Sequence, residues 1–152
     1  MVLADACFNI THSSFKENFE DILNESKKLG VGHFFCPAAE KKDIDKVIKF
    51  SSIYKEISCG IGIHPHHANE VDAELLMKLE TLINQEDITA IGEIGLDYYR
   101  DFQQKITQQE SFEEQLKLAS DHKMPVFLHN REAFKDFYSC LLYTSPSPRD
   151  IG

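Results

Sequence analysis

At 152 residues, with 42% hydrophobic and 11% aromatic side chains, the chain has the length of one ordinary domain and too much apolar content for a disordered one. Its formal net charge of −9 argues against a broad nucleic-acid-coating surface, which would need many Lys and Arg to neutralise phosphates. A single phosphodiester held by a metal and a few local cations is not excluded. No run approaches the roughly 20 apolar residues of a spanning helix, and Met1 to Asp5 lacks the basic end and apolar body of a signal peptide. No membrane partner and a cytoplasmic location are therefore expected.

In chain order, Val2 to Ile10 reads as a short strand, and the hydroxyls of Thr11 to Ser14 suit the cap of a helix whose face carries Phe15, Phe19, Ile22 and Leu23. Val31 to Cys36 is a second strand closed by Pro37, followed by a helix on Ile44, Val47, Ile48 and Ile53. Glu56 to Ile63 is the third strand, then a His-rich loop and a helix on Leu75, Leu76, Leu79, Leu82 and Ile83. Asp87 to Leu96 is the fourth, followed by a helix on Phe112, Leu116 and Ala119, and Met124 to Leu128 is the fifth. Phe134, Phe137 and Tyr138 begin another helix. Strands alternating with amphipathic helices, with no hairpin turn between them, predict an α/β fold of successive parallel βα units. A doubly wound open sheet is the structural competitor. It would show a strand order with a switch point.

Four widely spaced cysteines, Cys7, Cys36, Cys59 and Cys140, fall mostly in apolar runs and read as buried free thiols. The unusual polar residues collect at predicted strand ends, where parallel α/β folds gather their functional side chains. Asn9 ends strand one, His64 and His66 follow strand three, Glu93 and Asp97 end strand four, and His129 with Arg131 ends strand five. Glu93 lies among glycines and branched apolar residues, so it needs a metal, a cation or several hydrogen bonds to remain ionised. Two explanations stand for it: a metal ligand with His129 at the same level of the next strand, or an ion pair with Arg100 or Arg131. An imidazole with a carboxylate suits zinc, manganese or iron, and suits magnesium less well. His64 is a candidate phosphate donor or proton carrier, Arg131 a candidate bidentate grip on a phosphate oxygen, and His67 a solvated loop residue.

Ile61-Gly62-Ile63-His64-Pro65-His66, Ile91-Gly92-Glu93-Ile94-Gly95-Leu96-Asp97-Tyr98 and Met124-Pro125-Val126-Phe127-Leu128-His129-Asn130-Arg131 together resemble three consecutive signatures of the TatD family. The resemblance implies a (β/α)8 TIM barrel of the metal-dependent hydrolase superfamily, of which the chain holds about five strand–helix units. It implies a deoxyribonuclease that uses one or two divalent ions (Mg, Mn or Zn), with Glu93 and His129 as metal ligands. His64 matches the pocket histidine, Arg131 lies in the matching segment, and both are expected to orient the phosphate, with Asn9 as a further substrate contact. Many relatives carry an Asp-x-His-x-His motif on strand one, whereas Cys7 and Asn9 stand at the histidine places here. The later histidine and the late Asp that would act as base have no counterpart. Weak or no activity is thus expected of this chain, along with self-association through open sheet edges. An amide- or ester-cleaving barrel hydrolase and a non-catalytic α/β binding fragment are the alternatives.

The tail departs from the αβ pattern. Cys140 through Asp150 resembles the in-frame translation of a transposon-type sequencing-library adapter. Residues 1–139 are accordingly expected to form the barrel portion, and 140–152 a non-native tail with no second domain.

Overall fold

Five strands lie side by side in sequence order, every neighbouring pair parallel, in a computed structural model that describes residues 2–15 and 17–144. They are β1 (Leu3–Asp5), β2 (Val31–Pro37), β3 (Ile57–Ile61), β4 (Ala90–Asp97) and β5 (Val126–Arg131). The connecting helices are α1 (Phe19–Lys28), α2 (Ile44–Ile53), α3 (Ala73–Gln85) and α4 (Lys105–Asp121), with α5 (Phe134–Thr144) after β5. The sequential order has no switch point, which rules out the doubly wound alternative. The sheet curls into half of a barrel, with β1 and β5 as its edges.

Burial explains why the pattern folds this way. All of β4 is buried except Glu93, which is half-buried, as expected for a parallel strand covered on both faces. Ile61, Ile63, Leu75, Leu79, Ile91, Ile94, Leu96 and Phe112 form the centre of the core. The Asp72 side chain accepts a 2.7 Å bond from the Leu75 N–H and so starts α3. In α1 the acids Glu20 and Asp21 occupy the first turn and Lys27 and Lys28 the last, which complements the helix dipole.

The differences from the sequence expectation are concentrated near the N-terminus. The first strand spans Leu3–Asp5 instead of Val2 to Ile10: its residues are exposed, it has one neighbour, and its register with β2 shifts between Leu3 and Ala4. Asn9 therefore lies in the following loop and does not end a strand. The helix begins at Phe19 after a separate 3-10 turn at Ser13–Phe15, because Ser14 bonds the His12 ring at 2.8 Å and caps nothing. Strand four starts at Ala90, three residues later than expected. Cys36, Cys59 and Cys140 are buried and Cys7 is exposed, and none of the four is in a disulfide. Helix α5 runs through Cys140 to Thr144. The proline-containing remainder of the adapter-like tail, 145–152, lies outside the described residues. Among the described residues no helix is long and apolar enough to cross a membrane.

Candidate metal centre

His64, in the connection just after β3, and Glu93 and His129, within β4 and β5, place one ligand atom each within 4.8 Å of the others; Glu93 thus lies inside its strand and does not end it. Glu93 Oε1 is 3.1 Å from His129 Nδ1 and 4.0 Å from His64 Nε2. His129 Nε2 is 3.2 Å from Asp97 Oδ2, and the same carboxylate oxygen lies 2.7 Å from His66 Nε2. The other Asp97 oxygen accepts the Arg100 backbone N–H at 2.9 Å.

Two buried glutamines of α4 hold the strand ends that carry these side chains. Gln115 accepts the Ile63 N–H at 2.7 Å and donates to the Ile63 carbonyl at 3.1 Å, fixing the backbone next to His64. Gln108 does the same for Asp97, at 2.8 and 3.2 Å. These amides satisfy buried backbone groups beyond the end of the β3–β4 ladder, whose register runs only to Ile61 and Ile91.

The electrostatics separate the three imidazoles. Burial pushes the His64 pKa down to about 4, against the pull of Glu93. His64 is thus neutral near pH 7, and its Nδ1 accepts the His66 backbone N–H at 3.2 Å, which leaves the proton on Nε2, facing Glu93. His129 is shifted the other way: its bond to Glu93 raises its pKa and burial only partly offsets this. Burial acts to raise Glu93 and Asp97 as well, but the imidazoles, and for Asp97 the Arg100 N–H, outweigh it; both are lowered, Asp97 to about 2.

Of the residues singled out from sequence, the structure brings His64, Glu93 and His129 together. Glu93 does not pair with an arginine among the described residues; its ion pairs are with His64 and His129. Nor is it directly opposite His129, since Gly95 is. Arg131, exposed at the end of β5, stacks its guanidinium 3.9 Å over the Tyr99 ring, and Asn9 accepts a bond from Thr11 at 3.2 Å. Among the described residues no hydrogen bond or ion pair joins either to the trio. His67 is half-buried beside Glu70 and Glu40 and is not simply solvated. Asp97, His66, Gln108 and Gln115 had no assigned role. Asp97 offered the same signal as Glu93, an acid at the end of an apolar strand. The glutamines offered a weaker one, two amides seven apart on the face of α4 that also bears Phe112 and Leu116.

A family model described as TatD related DNase matches residues 4–149. The chain belongs to the TatD related DNase family. The 3'-5' ssDNA/RNA exonuclease TatD of Cronobacter sakazakii is 32% identical over 137 residues, which cover 90% of this chain and 52% of that protein. The TatD of Pantoea ananatis, described in the same words, is 32% identical over 138 residues, 90% of this chain and 53% of the relative. A crystal structure of YjjV, a TatD homolog from Escherichia coli, superposes with a TM-score of 0.86 at 28% identity, covering 93% of this chain and 56% of that one. The chain thus spans about half the length of the relatives it matches.

The donor set fits the divalent cation that TatD chemistry requires. With Asp97 receiving the proton of His129 Nε2, the Nδ1 lone pair is left free to ligate beside Glu93 Oε1, the arrangement in which a carboxylate orients a ligating histidine. His64 fits the same role less well, since its Nδ1 is engaged by the His66 N–H and its Nε2 carries the proton. Of the three, Glu93 and His129 could hold a cation more readily, with the His64 Nε2–H facing Glu93 beside them.

Proposed function

We propose that this TatD-family protein is a metal-dependent hydrolase that cleaves phosphodiester bonds of DNA. Glu93 and His129 hold a divalent ion, magnesium, manganese or zinc, and His64 and Arg131 orient the phosphate. The single observation that supports this most directly is the placement of a carboxylate, a ligand-type imidazole and a neutral imidazole N–H around one point, from β4, β5 and the connection after β3. When bound, the cation supplies charge for the phosphoryl oxygens and lowers the pKa of water.

The chain's own residues carry the rest of the work. Neutral His64 donates from Nε2 to a phosphoryl oxygen, a bond that needs no protonation change near pH 7. Asp97 keeps His129 in the ligating tautomer and His66 turned beside it. Arg131, opposite Asp97 across the sheet and held on Tyr99, is an exposed cation that suits a phosphate oxygen. Tyr99 and Phe102 are both more than half exposed, and the Phe102 ring lies 4.8 Å from that of His66, which offers flat apolar surface for unstacked bases. Asn9, in the loop after β1, is a further proposed substrate contact.

Asp97 is a poor proton acceptor, since its oxygens are engaged by two imidazoles and a backbone N–H and its pKa is about 2. Substrate binding is therefore a more direct readout than turnover. Anisotropy of a labelled single-stranded oligonucleotide should show at least about tenfold tighter binding in manganese than in chelator, a gain lost in Glu93→Ala and reduced in Arg131→Ala. Binding indifferent to manganese and to Glu93→Ala would overturn the proposal. Metal binding without oligonucleotide binding would favour an amide or ester substrate instead.

A further inference from the structure

Away from this centre, Glu40, His67 and Glu70 also bring one ligand atom each within 4.8 Å of one another, and all three are half-buried. Glu40 precedes the short 3-10 turn Lys41–Asp43 after β2, whereas His67 and Glu70 belong to the 3-10 segment Pro65–Glu70 after β3. The donors thus come from two separate connections. Glu70 is fixed by one oxygen, Oε2, which accepts the Lys41 backbone N–H at 2.7 Å; its other oxygen, Oε1, faces His67 Nδ1 at 3.4 Å. Glu40 is arranged likewise, with Lys42 Nζ 2.8 Å from Oε1 and His67 Nδ1 4.0 Å from Oε2.

The spacing distinguishes two kinds of contact. The imidazole–carboxylate hydrogen bonds of the first centre close to 2.7 to 3.2 Å. Two donors about 2.1 Å from one tetrahedral ion stand on the order of 3.4 Å apart. His67 Nδ1 makes no hydrogen bond to either acid, and its separations of 3.4 and 4.0 Å leave room between the three donors for an ion rather than a proton. One imidazole with two carboxylate oxygens suits a borderline cation such as zinc, with water completing the shell. Lys42 neutralises the outer oxygen of Glu40 and leaves the inner one directed at the site.

We propose that Glu40, His67 and Glu70 form a second divalent-cation site of zinc type, which clips the connection after β2 to the connection after β3. The second connection also carries His64 and His66, so an ion here would brace the loop that faces the first centre. The site is independent of the proposed phosphodiester chemistry.

Zinc counting tests it. Equilibrium dialysis against zinc chloride should show His67→Ala binding one equivalent fewer than the unsubstituted chain, with Glu70→Gln at least about tenfold weaker at that site. In a Glu93→Ala, His129→Ala background, one equivalent should remain, raise the melting temperature and disappear on adding His67→Ala. If the background variant does not fold, the comparison in the unsubstituted chain decides. Equal zinc stoichiometry with and without His67 would overturn the proposal. Loss of zinc in Glu93→Ala with retention at His67 would separate this site from the first.

Discussion

Glu93 Oε1 meets His129 Nδ1 at 3.1 Å although the two residues are not partners across the sheet. His129 is opposite Gly95, and the β4–β5 register shifts between Ile91 and Ile94. The shift lets a side chain two residues earlier on β4 reach the imidazole. Both ring nitrogens of His129 face carboxylates, Glu93 on one side and Asp97 on the other, and this is the arrangement that favours imidazolium.

A cation on Nδ1 must displace a proton, because the raised pKa of His129 keeps it charged above the ordinary imidazole range. Metal binding near pH 7 should therefore release protons, measurable as calorimetric heats that vary with the ionisation enthalpy of the buffer. In Glu93→Gln the His129 pKa should fall toward its ordinary value, which an NMR titration of the ring would show. An unchanged His129 pKa would mean that Glu93 is not what holds the proton.

The two shifted histidines should give the metal-free protein opposite limbs of pH-dependent stability. His64 is held neutral, with a pKa of about 4, so between pH 6.5 and 4 the unfolded chain binds a proton that the native state refuses, and stability falls as pH falls. The shift corresponds to about 3 kcal/mol over that window. His129 is raised, so its contribution is complete below the ordinary imidazole pKa and is lost as pH rises through the folded value. Glu93 and Asp97, both lowered, contribute above their unfolded values and lose this only at lower pH. Urea unfolding in chelator should show the acid limb flattened in His64→Gln and the alkaline limb flattened in Glu93→Gln.

Gly95 cannot carry a side chain. A Cβ there would sit 1.8 Å from the His129 carbonyl oxygen, at a φ of +150°, so Gly95→Ala must push β5 away from β4 at the centre itself. A destabilisation of about 3 kcal/mol and loss of metal affinity are expected. Gly30→Ala, at φ +95° with nothing within 4 Å, should cost only about 1 kcal/mol and leave metal binding intact. Chemical unfolding and a metal titration on both variants separate strain at the site from strain in general.

Gln115→Leu keeps approximate volume but leaves the Ile63 N–H and carbonyl without their partner in the core. About 2–4 kcal/mol of stability should be lost. The metal-dependent gain in oligonucleotide binding should also fall, since His64 is the next residue. Equal stability of Gln115→Leu and the unsubstituted chain in urea would show that these backbone groups find water.

The alternation of apolar strands and helices made the order of β2 through β5 legible, since each is a short apolar-rich run followed by a helix, although only β3 and β4 are mostly buried. β1 was not, because Phe8 and Ile10 are apolar and buried yet lie beyond the three-residue strand, where no continuous ladder with β2 forms. Glu93 and His129 could be found because each is a polar residue in an apolar run. Asp97 stood at a strand end as visibly, but its role depends on His66 and His129 arriving at one oxygen from different connections, which no local pattern encodes. Gln108 and Gln115 were hidden for a related reason: their partners are backbone groups, and those carry no sequence signal.

The central claim is that Glu93 and His129 hold a divalent ion. Calorimetric titration of manganese into the His67→Ala chain, with and without Glu93→Ala, tests it without interference from the second cluster. The account predicts one bound equivalent in His67→Ala and none when Glu93 is also removed. Equal binding by the two proteins would contradict it.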